Sequence, residues 1–500
     1  VSLVAIDGRE VTRPLRLAAD VVVVGSGPAG AAVAATLAAG GVRVLVLEEG
    51  HAWTPDTFAA SGVRAMARLY RDLGTSMTLG AAPMPVLQGR AVGGTSVVNG
   101  AICWSFPEEV HRQWVAADPA LADALPFAAL RAAEAALVAR LRIRPTDPAV
   151  AGEKGARMAR GADALGWAHR PILRNVDGCR GSGRCLQGCP HGAKLSMDRS
   201  LLPDAVRDGA RIVSGVRVTR VVTDRRGAAG VVGVAAGGGP VEVRAWRGVV
   251  VAASAIQTPV LLRRSGATQG PVGDGLSGHP GVSVTGRFAE PVDPLVGATQ
   301  GHEVTGLRAE GLKLETLGFD ASILGSRLPG VGPELAERLA DARHHLVFGA
   351  ALRTAGRGTV RPGWSRPRVT LPLTDADVAL ARRAVRRLGE VLLASGAREV
   401  YPGVAGFDPV VTDPARLAAL DVEGPTHARA FPMSVTHLFG TARMGSDPAT
   451  SVVRPDFRHH HVDGLWVADS SVFPTNLGVN PMLPILSMAR VCAEGMLSAG

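Results

Sequence analysis

The sequence predicts an α/β fold in which a mostly parallel sheet is assembled from separated stretches of chain, with a second unit inserted between them. Three observations predict it. Asp20–Val24, Ala29–Ala39 and Val42–Leu47 read in succession as a buried strand, a small-residue helix and a second buried strand. β-Branched residues return in alternation over Arg211–Asp224, and the apolar run Gly248–Ala253 fits an inner parallel strand. From about residue 270 to 432 the order gives way to short strand-like pieces with scattered Pro and Gly, after which strand, turn and helix resume. A chain of 500 residues suits two domains sharing a core better than one.

One helix stands out in the irregular stretch. Thr374 and Asp375 start it, Val378, Ala381, Val385, Leu388 and Leu392 line one face, and Arg382, Arg383, Arg386 and Arg387 lie mainly off that face. It reads as a solvated helix on a sheet rather than a membrane-surface helix.

Composition narrows the function. The chain is 46% hydrophobic and 20% charged, which excludes wholesale disorder. Its formal charge is +10, carried by Arg, since the lysines are Lys154, Lys194 and Lys313. With aromatic residues at 4% and no basic-plus-aromatic run, no nucleic-acid partner is expected. The uncharged run Val21–Val42 is long enough for a membrane span, but its glycines and Pro28 favour strand, tight turn and helix. No short apolar run flanked by Arg or Lys stands at the N-terminus, so no secretory signal is expected. Five cysteines, three within eleven residues, do not form an extracellular disulfide framework, and a cytoplasmic enzyme is the expectation.

The first motif with chemistry is GSGPAG at Gly25–Gly30, which follows a Val-rich strand and opens a helix. Gly25 permits the tight turn, Gly27 lets backbone approach a pyrophosphate, and Gly30 lets helix and strand pack closely, with Ser26 inside the turn. The helix N-terminus offers free N–H groups to phosphate. Glu48, about twenty residues on, ends the next strand, where it can accept from a ribose and disfavours a 2′-phosphate. The motif reads as a Rossmann-like dinucleotide site without separating FAD from NAD.

The second motif is GRAVGGTSVVNGA, Gly89–Ala101, a loop whose backbone donors can approach a large planar cofactor. Here the sequence resembles the glucose–methanol–choline (GMC) oxidoreductase family, whose first pattern has this form. SAIQTPVLLRRSG at Ser254–Gly266 matches the second. THLFGTARMG (Thr436–Gly445), LWVADSSVFP (Leu465–Pro474) and GVNPMLPI (Gly478–Ile485) extend the likeness to the C-terminus, while residues 280–430 carry little of it. The resemblance implies a Rossmann-like FAD-binding domain over 1–110, 195–280 and 432–500. It also implies a smaller substrate domain, with an antiparallel sheet and flanking helices, over 111–194 and 281–431, including the Cys-rich segment.

Residue by residue, the resemblance places Glu48 on the adenosine ribose, Gly93, Gly94 and Thr95 along the pyrophosphate, and Asn99 and Gly100 near the flavin. Val218 matches a backbone contact to adenine, Asp469 an Asp near the ribityl chain, and Pro481 and Met482 the start of a helix facing the flavin N1/O2 edge. A helix N-terminus suits that edge, which is anionic when reduced, and Pro481 suits a first helical position. Some members tether FAD through a His in the Gly-rich loop. Ser96–Asn99 contains none, so non-covalent FAD is implied. Cys103 and Phe106 depart from the family pattern on the substrate side of the loop.

His437, in a His-x-x-Gly-Thr context, resembles the active-site His of the family, and Asn480 occupies a place held by His or Asn in its branches. The resemblance implies FAD-dependent oxidation of a small-molecule alcohol. Hydride passes from the carbinol carbon to flavin N5, His437 handles the hydroxyl proton, Asn480 orients the oxygen, and oxygen or another carrier takes the electrons. The His/Asn branch sometimes recruits a substrate-domain carboxylate, and the sequence identifies none.

Cys179, Cys185 and Cys189, followed by Pro190, have the look of an iron–sulfur run, but such clusters and zinc usually need four ligands. A structural or disulfide role leads, with metal or redox relay as alternatives, and no metal site is assigned. A similar Cys-rich stretch occurs in a branch with long-chain alcohol oxidases and aminoglycoside-tailoring dehydrogenases. The substrate is therefore expected to be a hydroxyl of a natural product or aminosugar, with a long-chain or sterol-type alcohol as the alternative. A non-redox flavoprotein lyase on the same scaffold is the competing class. His459, His460 and His461 converge poorly on one ion and read as an exposed strand or turn.

Overall fold

The structure is a computed structural model and describes residues 2–499. Its architecture is the expected mixed α/β arrangement, built on two sheets. The first contains β1 (Leu15–Val24), β2 (Val44–Leu47), β3 (Arg211–Ser214), β4 (Val216–Asp224), β5 (Gly227–Ala235) and β6 (Pro240–Val251). The second contains β7 (Asp274–Arg287), β8 (His302–Val304), β9 (Leu312–Leu317), β10 (His345–Leu352) and β11 (Ser434–Phe439). A last strand, β12 (Leu465–Val467), returns to the first sheet beside β6.

The order in the first sheet is β3–β2–β1–β6–β5–β4, with Ile6–Asp7 added beside β3. The pairs β1–β2, β2–β3, β1–β6 and β6–β12 are parallel, and the outer pairs β6–β5 and β5–β4 are antiparallel. Val21–Val24, Val44–Leu47 and Val249–Val251 are buried, as expected of strands covered on both faces. Helix α1 (Pro28–Ala39) connects β1 to β2. It packs against the last helix, α4 (Met482–Ser498), through small residues that let the backbones approach.

In the second sheet the order β7–β10–β9–β8 is antiparallel throughout, and β11 pairs with the other edge of β7. The predicted amphipathic helix is α3 (Asp375–Ala394), which packs on β7 and β10. Its capping box is complete: Asp377 N–H donates to the Thr374 hydroxyl, and Thr374 N–H donates to the Asp377 carboxylate. Helix α2 (Ser254–Arg264) follows β6 and runs beneath β4. Among the described residues no helix is long and apolar enough to cross a membrane, so Val21–Val42 is strand, turn and helix.

Candidate active site

A cavity of about 570 Å³ opens at the C-terminal ends of β1, β2 and β6 and continues between the two sheets to β11 and the start of α4. Such a crevice is where ligands bind in open α/β sheets. All the residues expected to bind cofactor line it except Ser26, Gly30 and Gly93, which stand behind the wall.

The end formed by the glycine turns is shaped by missing side chains. Gly25 turns with φ +101°, and a Cβ there would lie 2.4 Å from the Ala252 carbonyl. At Gly30 a Cβ would lie 1.9 Å from the Gly25 carbonyl, so this glycine serves packing. Gly27 caps α1 without a side-chain partner, which leaves first-turn N–H groups free toward the cavity. The Gly-rich loop presses Gly94, at φ +57°, onto Gly27, where a Cβ would sit 2.6 Å from the Gly27 Cα.

Ser26 and Gly93 tie these two loops together. The Ser26 hydroxyl donates to Glu48 Oε2 at 2.7 Å and accepts from Gly93 N–H at 3.0 Å. Glu48 also accepts from the N–H groups of Ser26 and Gly50, at 2.9 and 2.8 Å. Burial pushes its carboxyl up, against the pull of these donors. A carboxylate has about four lone-pair sites, so Glu48 keeps capacity for a ribose hydroxyl. Val218 lines the same end, where a register break between Val218 and Arg220 loosens the β4–β5 ladder.

Toward the other end, Asn99 Oδ1 accepts from Ala101 N–H and its amide reaches Met482 Sδ at 3.1 Å. At Gly100 a Cβ would lie 1.7 Å from Gln300 Oε1, so only glycine lets the substrate-side sheet come this close. Asp469 accepts from Ser254 N–H, the Thr258 hydroxyl and Ser471 N–H, which joins α2 to the C-terminal motif. Pro481 is the N-cap residue of α4 rather than its first helical residue, with φ −90° and ψ −1°. The one-residue difference leaves Met482 N–H among the free donors of that terminus.

At the far end both His437 and Asn480 line the cavity. Register places His437 opposite His279 on β7, with the two Nδ1 atoms 3.3 Å apart, while Gly478 N–H donates to His279 Nε2 at 2.9 Å. Asn480 Oδ1 accepts from Lys313 Nζ at 2.7 Å. Lys313, on β9, is fully buried and pairs with both Glu303 on β8 and Glu315 on β9. Glu303 also accepts from Trp104 Nε1 and Arg170 Nε, and Glu315 from Gln300 Nε2. Burial, then the Lys313 ammonium, holds His437 down at about 3, so its ring is neutral.

Residues 66–281 and 356–489 match the GMC oxidoreductase family, and residues 20–79 match an FAD binding domain. An uncharacterized GMC-type oxidoreductase of Mycobacterium tuberculosis is 36% identical over 98% of this chain and 77% of that protein. The chain belongs to the GMC oxidoreductase family. It is an oxidoreductase, and its cofactor is FAD. A long-chain-alcohol oxidase of Arabidopsis thaliana is 28% identical over 97% of this chain and 69% of its own length. The 6'''-hydroxyparomomycin C oxidase of Streptomyces lividus is 28% identical over 96% and 91%. In three dimensions the pyridoxine 4-oxidase of Mesorbium loti shares the fold, with a TM-score of 0.70 at 19% identity over 95% of this chain and 98% of that one.

The cavity of this GMC protein fits FAD on its own chemistry: bare glycine backbone and two helix N-termini for anionic groups, with a buried carboxylate at one end. Sequence reasoning missed His279, Glu303, Lys313 and Glu315. One signal pointed to Lys313. In a chain whose cations are nearly all Arg, all three lysines are buried, at 0–2% exposure.

The other two lysines lie by the Cys-rich segment. All five cysteines are free, so no disulfide forms there. Arg174 instead donates to Cys185 Sγ at 3.1 Å, to Cys179 Sγ at 3.8 Å and to the Gly100 carbonyl at 3.2 Å. Lys194 spends its three N–H bonds on the carbonyls of Val97, Asn99 and Cys185. The segment thus braces the Gly-rich loop from behind. Burial raises the Cys185 thiol, but Arg174 and Lys194 outweigh it and hold it at about 7. Among the described residues no three His, Cys, Asp or Glu side chains converge as metal ligands. The His459–His461 tract is not simply exposed: His459 is buried, and His460 bonds the Ser451 hydroxyl.

Proposed function

We propose that this GMC oxidoreductase oxidises an alcohol to a carbonyl compound, with the hydroxyl oxygen held between His437 and Asn480. The observation that carries this reading is that both side chains line the cavity that fits FAD, with Asn480 fixed by Lys313. Bound FAD supplies the acceptor for the hydride that leaves the carbinol carbon. FAD is held non-covalently by Glu48 at the ribose and by the Gly25–Gly30 turn and Gly93–Thr95 at the pyrophosphate. Asn99, Gly100, Asp469, Pro481 and Met482 hold the flavin end.

The protein supplies position and proton handling. An ammonium is only a donor, so the atom of Asn480 on Lys313 is its oxygen, and its N–H groups are left to orient the alcohol oxygen. His437 meets the same oxygen and takes part in moving the hydroxyl proton.

The substrate reading is a hydroxyl on a polar natural product such as an aminosugar, supported by Ser283, Gln300, Glu315, Ser434 and Thr436 along the second-sheet wall. Leu87, Leu186, Leu317 and Phe319 on the same cavity favour a long-chain alcohol as the second reading. Anaerobic mixing of holoenzyme with glucosamine, 1-dodecanol and related alcohols tests both. The expected result is bleaching of the flavin absorbance by one class and recovery on admitting air or an artificial acceptor. Turnover of an alcohol without bleaching would mean a non-redox flavoprotein and end this reading.

A further inference from the structure

The second-sheet wall of the cavity continues beyond the two motif residues. His279, Gly281, Ser283 and Thr285 follow one another on one face of β7, and the first three line the cavity. Register sets Ser283 opposite Gly349 on β10, and Gly349 opposite Glu315 on β9, so bare backbone separates the hydroxyl from the carboxylate. The Thr285 hydroxyl donates to the Arg327 carbonyl at 3.3 Å, which fixes the short turn Gly325–Arg327 beside this end of the strand. Leu324 and Leu328, on either side of that turn, are buried in a cluster with Val347 and Tyr401. Arg327 itself lines the cavity.

Both polar groups at this place lack partners. Ser283 Oγ and Arg327 Nε are buried without a hydrogen bond. Among the described residues the Arg327 side chain makes one hydrogen bond, from Nη1 to the Pro432 carbonyl at 3.5 Å, and no ion pair. Arg71 and Arg366, on the same cavity, meet the carboxylates of Glu49 and Asp72. Burial alone pulls the Arg327 guanidinium below its ordinary value, and no charge acts against it. A guanidinium unpaired inside a cavity carries a desolvation cost that a bound anion offsets. Glu315 does not supply that anion, because it stands two strands and about 10 Å from Ser283, with its charge paired to Lys313. The planar fork of N–H donors matches a carboxylate or a phosphate, and the Ser283 hydroxyl adds one more donor.

We propose that Arg327 and Ser283 form an anion subsite of the substrate pocket, and that the alcohol oxidised carries a carboxylate or a phosphate remote from its reacting hydroxyl. Four residues at about 3.3 Å each put Ser283 about 13 Å along β7 from His279, the residue that register sets opposite His437. A disaccharide or a twelve-carbon chain is long enough to reach from one end to the other. Leu317 and Phe319 also line the cavity and give the part of the substrate between the two ends an apolar surface. The subsite reads the charge at the far end of the substrate, while His437 and Asn480 meet the hydroxyl.

This inference rests on the alcohol-oxidation reading, and the two fail differently. The first measurement needs no turnover: isothermal titration of the oxidised holoenzyme with dodecanoate, which has no hydroxyl, and with inorganic phosphate. At least one of them is expected to bind the wild type, and to bind Arg327→Gln at least about tenfold more weakly, as loss of hydrogen bonds to a charged group does. Ser283→Ala should weaken the same ligand about 2–10-fold, and an unchanged affinity removes Ser283 from the subsite. No binding to the wild type, or equal binding to Arg327→Gln, overturns the proposal and leaves alcohol oxidation standing. The second measurement is anaerobic bleaching by 12-hydroxydodecanoate against 1-dodecanol, and by trehalose 6-phosphate against trehalose. These pairs separate a carboxylate on an alkyl chain from a phosphate on a sugar. In the pair that bleaches the wild type, the anionic member should half-saturate at a concentration at least about tenfold lower, and Arg327→Gln should erase that preference. A neutral member as effective as its anionic counterpart overturns the proposal. Anion binding that depends on Arg327, together with turnover of an alcohol that leaves the flavin unbleached, would instead overturn the alcohol-oxidation reading itself.

Discussion

Single atoms decide the cofactor end. Gly94 and Gly27 meet backbone to backbone, and a methyl group on Gly94 would sit 2.6 Å from the Gly27 Cα in a left-handed conformation. Gly94→Ala should therefore push the two glycine turns of the cavity wall apart. Isothermal titration of apoprotein is expected to show FAD affinity reduced at least tenfold, an effect of about 1.4 kcal/mol or more. The glycines, Glu48, His437 and Asn480 were legible because each sits in a local pattern. Lys313, Glu303 and Glu315 were not. Their meeting depends on β8 pairing with β9, which sets Glu303 directly opposite Glu315, and on the segment leading into α4 bringing Asn480 to Lys313 from 167 residues away. Two carboxylates opposite each other on a sheet repel, and Lys313, two residues before Glu315 on the same face, offsets that repulsion together with Arg170 on Glu303.

At the scale of elements, local chemistry was a good guide wherever a segment satisfies its own ends. β1, α1 and β2 follow from an apolar run, a glycine turn and small residues, with bounds that move by only a few residues. Helix α3 was placed from Thr374 and its apolar stripe. Thr374→Ala should cost about 1 kcal/mol in urea unfolding, as N-cap truncations do, with unchanged flavin binding. Asp377→Ala should cost more, because its carboxylate also receives the N–H groups of Ala355 and Gly356. Equal losses from the two substitutions would show that those backbone contacts contribute nothing. Elements whose stability comes from neighbours were harder to read. β8 has three residues and β9 six, and neither carries its own turn signal strong enough to locate it.

For the whole molecule, buried histidines couple folding to pH. Burial is the first cause in each case: it holds His302 and His459 at about 4, His437 at about 3, and His279 well below the ordinary value. Below about pH 6.5 the unfolded chain binds protons at these rings and the folded chain does not. Their contribution is thus complete above that pH and is lost as pH falls toward the folded values. Glu48, Asp198 and Asp469, raised by burial, act in the opposite sense once they protonate in the fold. Stability of the holoenzyme should fall from pH 7 to pH 5.5, by up to about 1.4 kcal/mol per ring per pH unit. Urea midpoints that stay flat over that range would show that the rings are protonated in the native state. By itself the sequence determined the class of fold and FAD as the cofactor, because glycine turns, helix starts and short motifs act through residues near one another in the chain. The tertiary structure alone decided what surrounds His437 and Asn480: His279 beside the first, and Lys313 with its two carboxylates behind the second. Hydrogen-bond polarity is inherited from partners, and here the partners arrive from β7, β8 and β9 across the sheet.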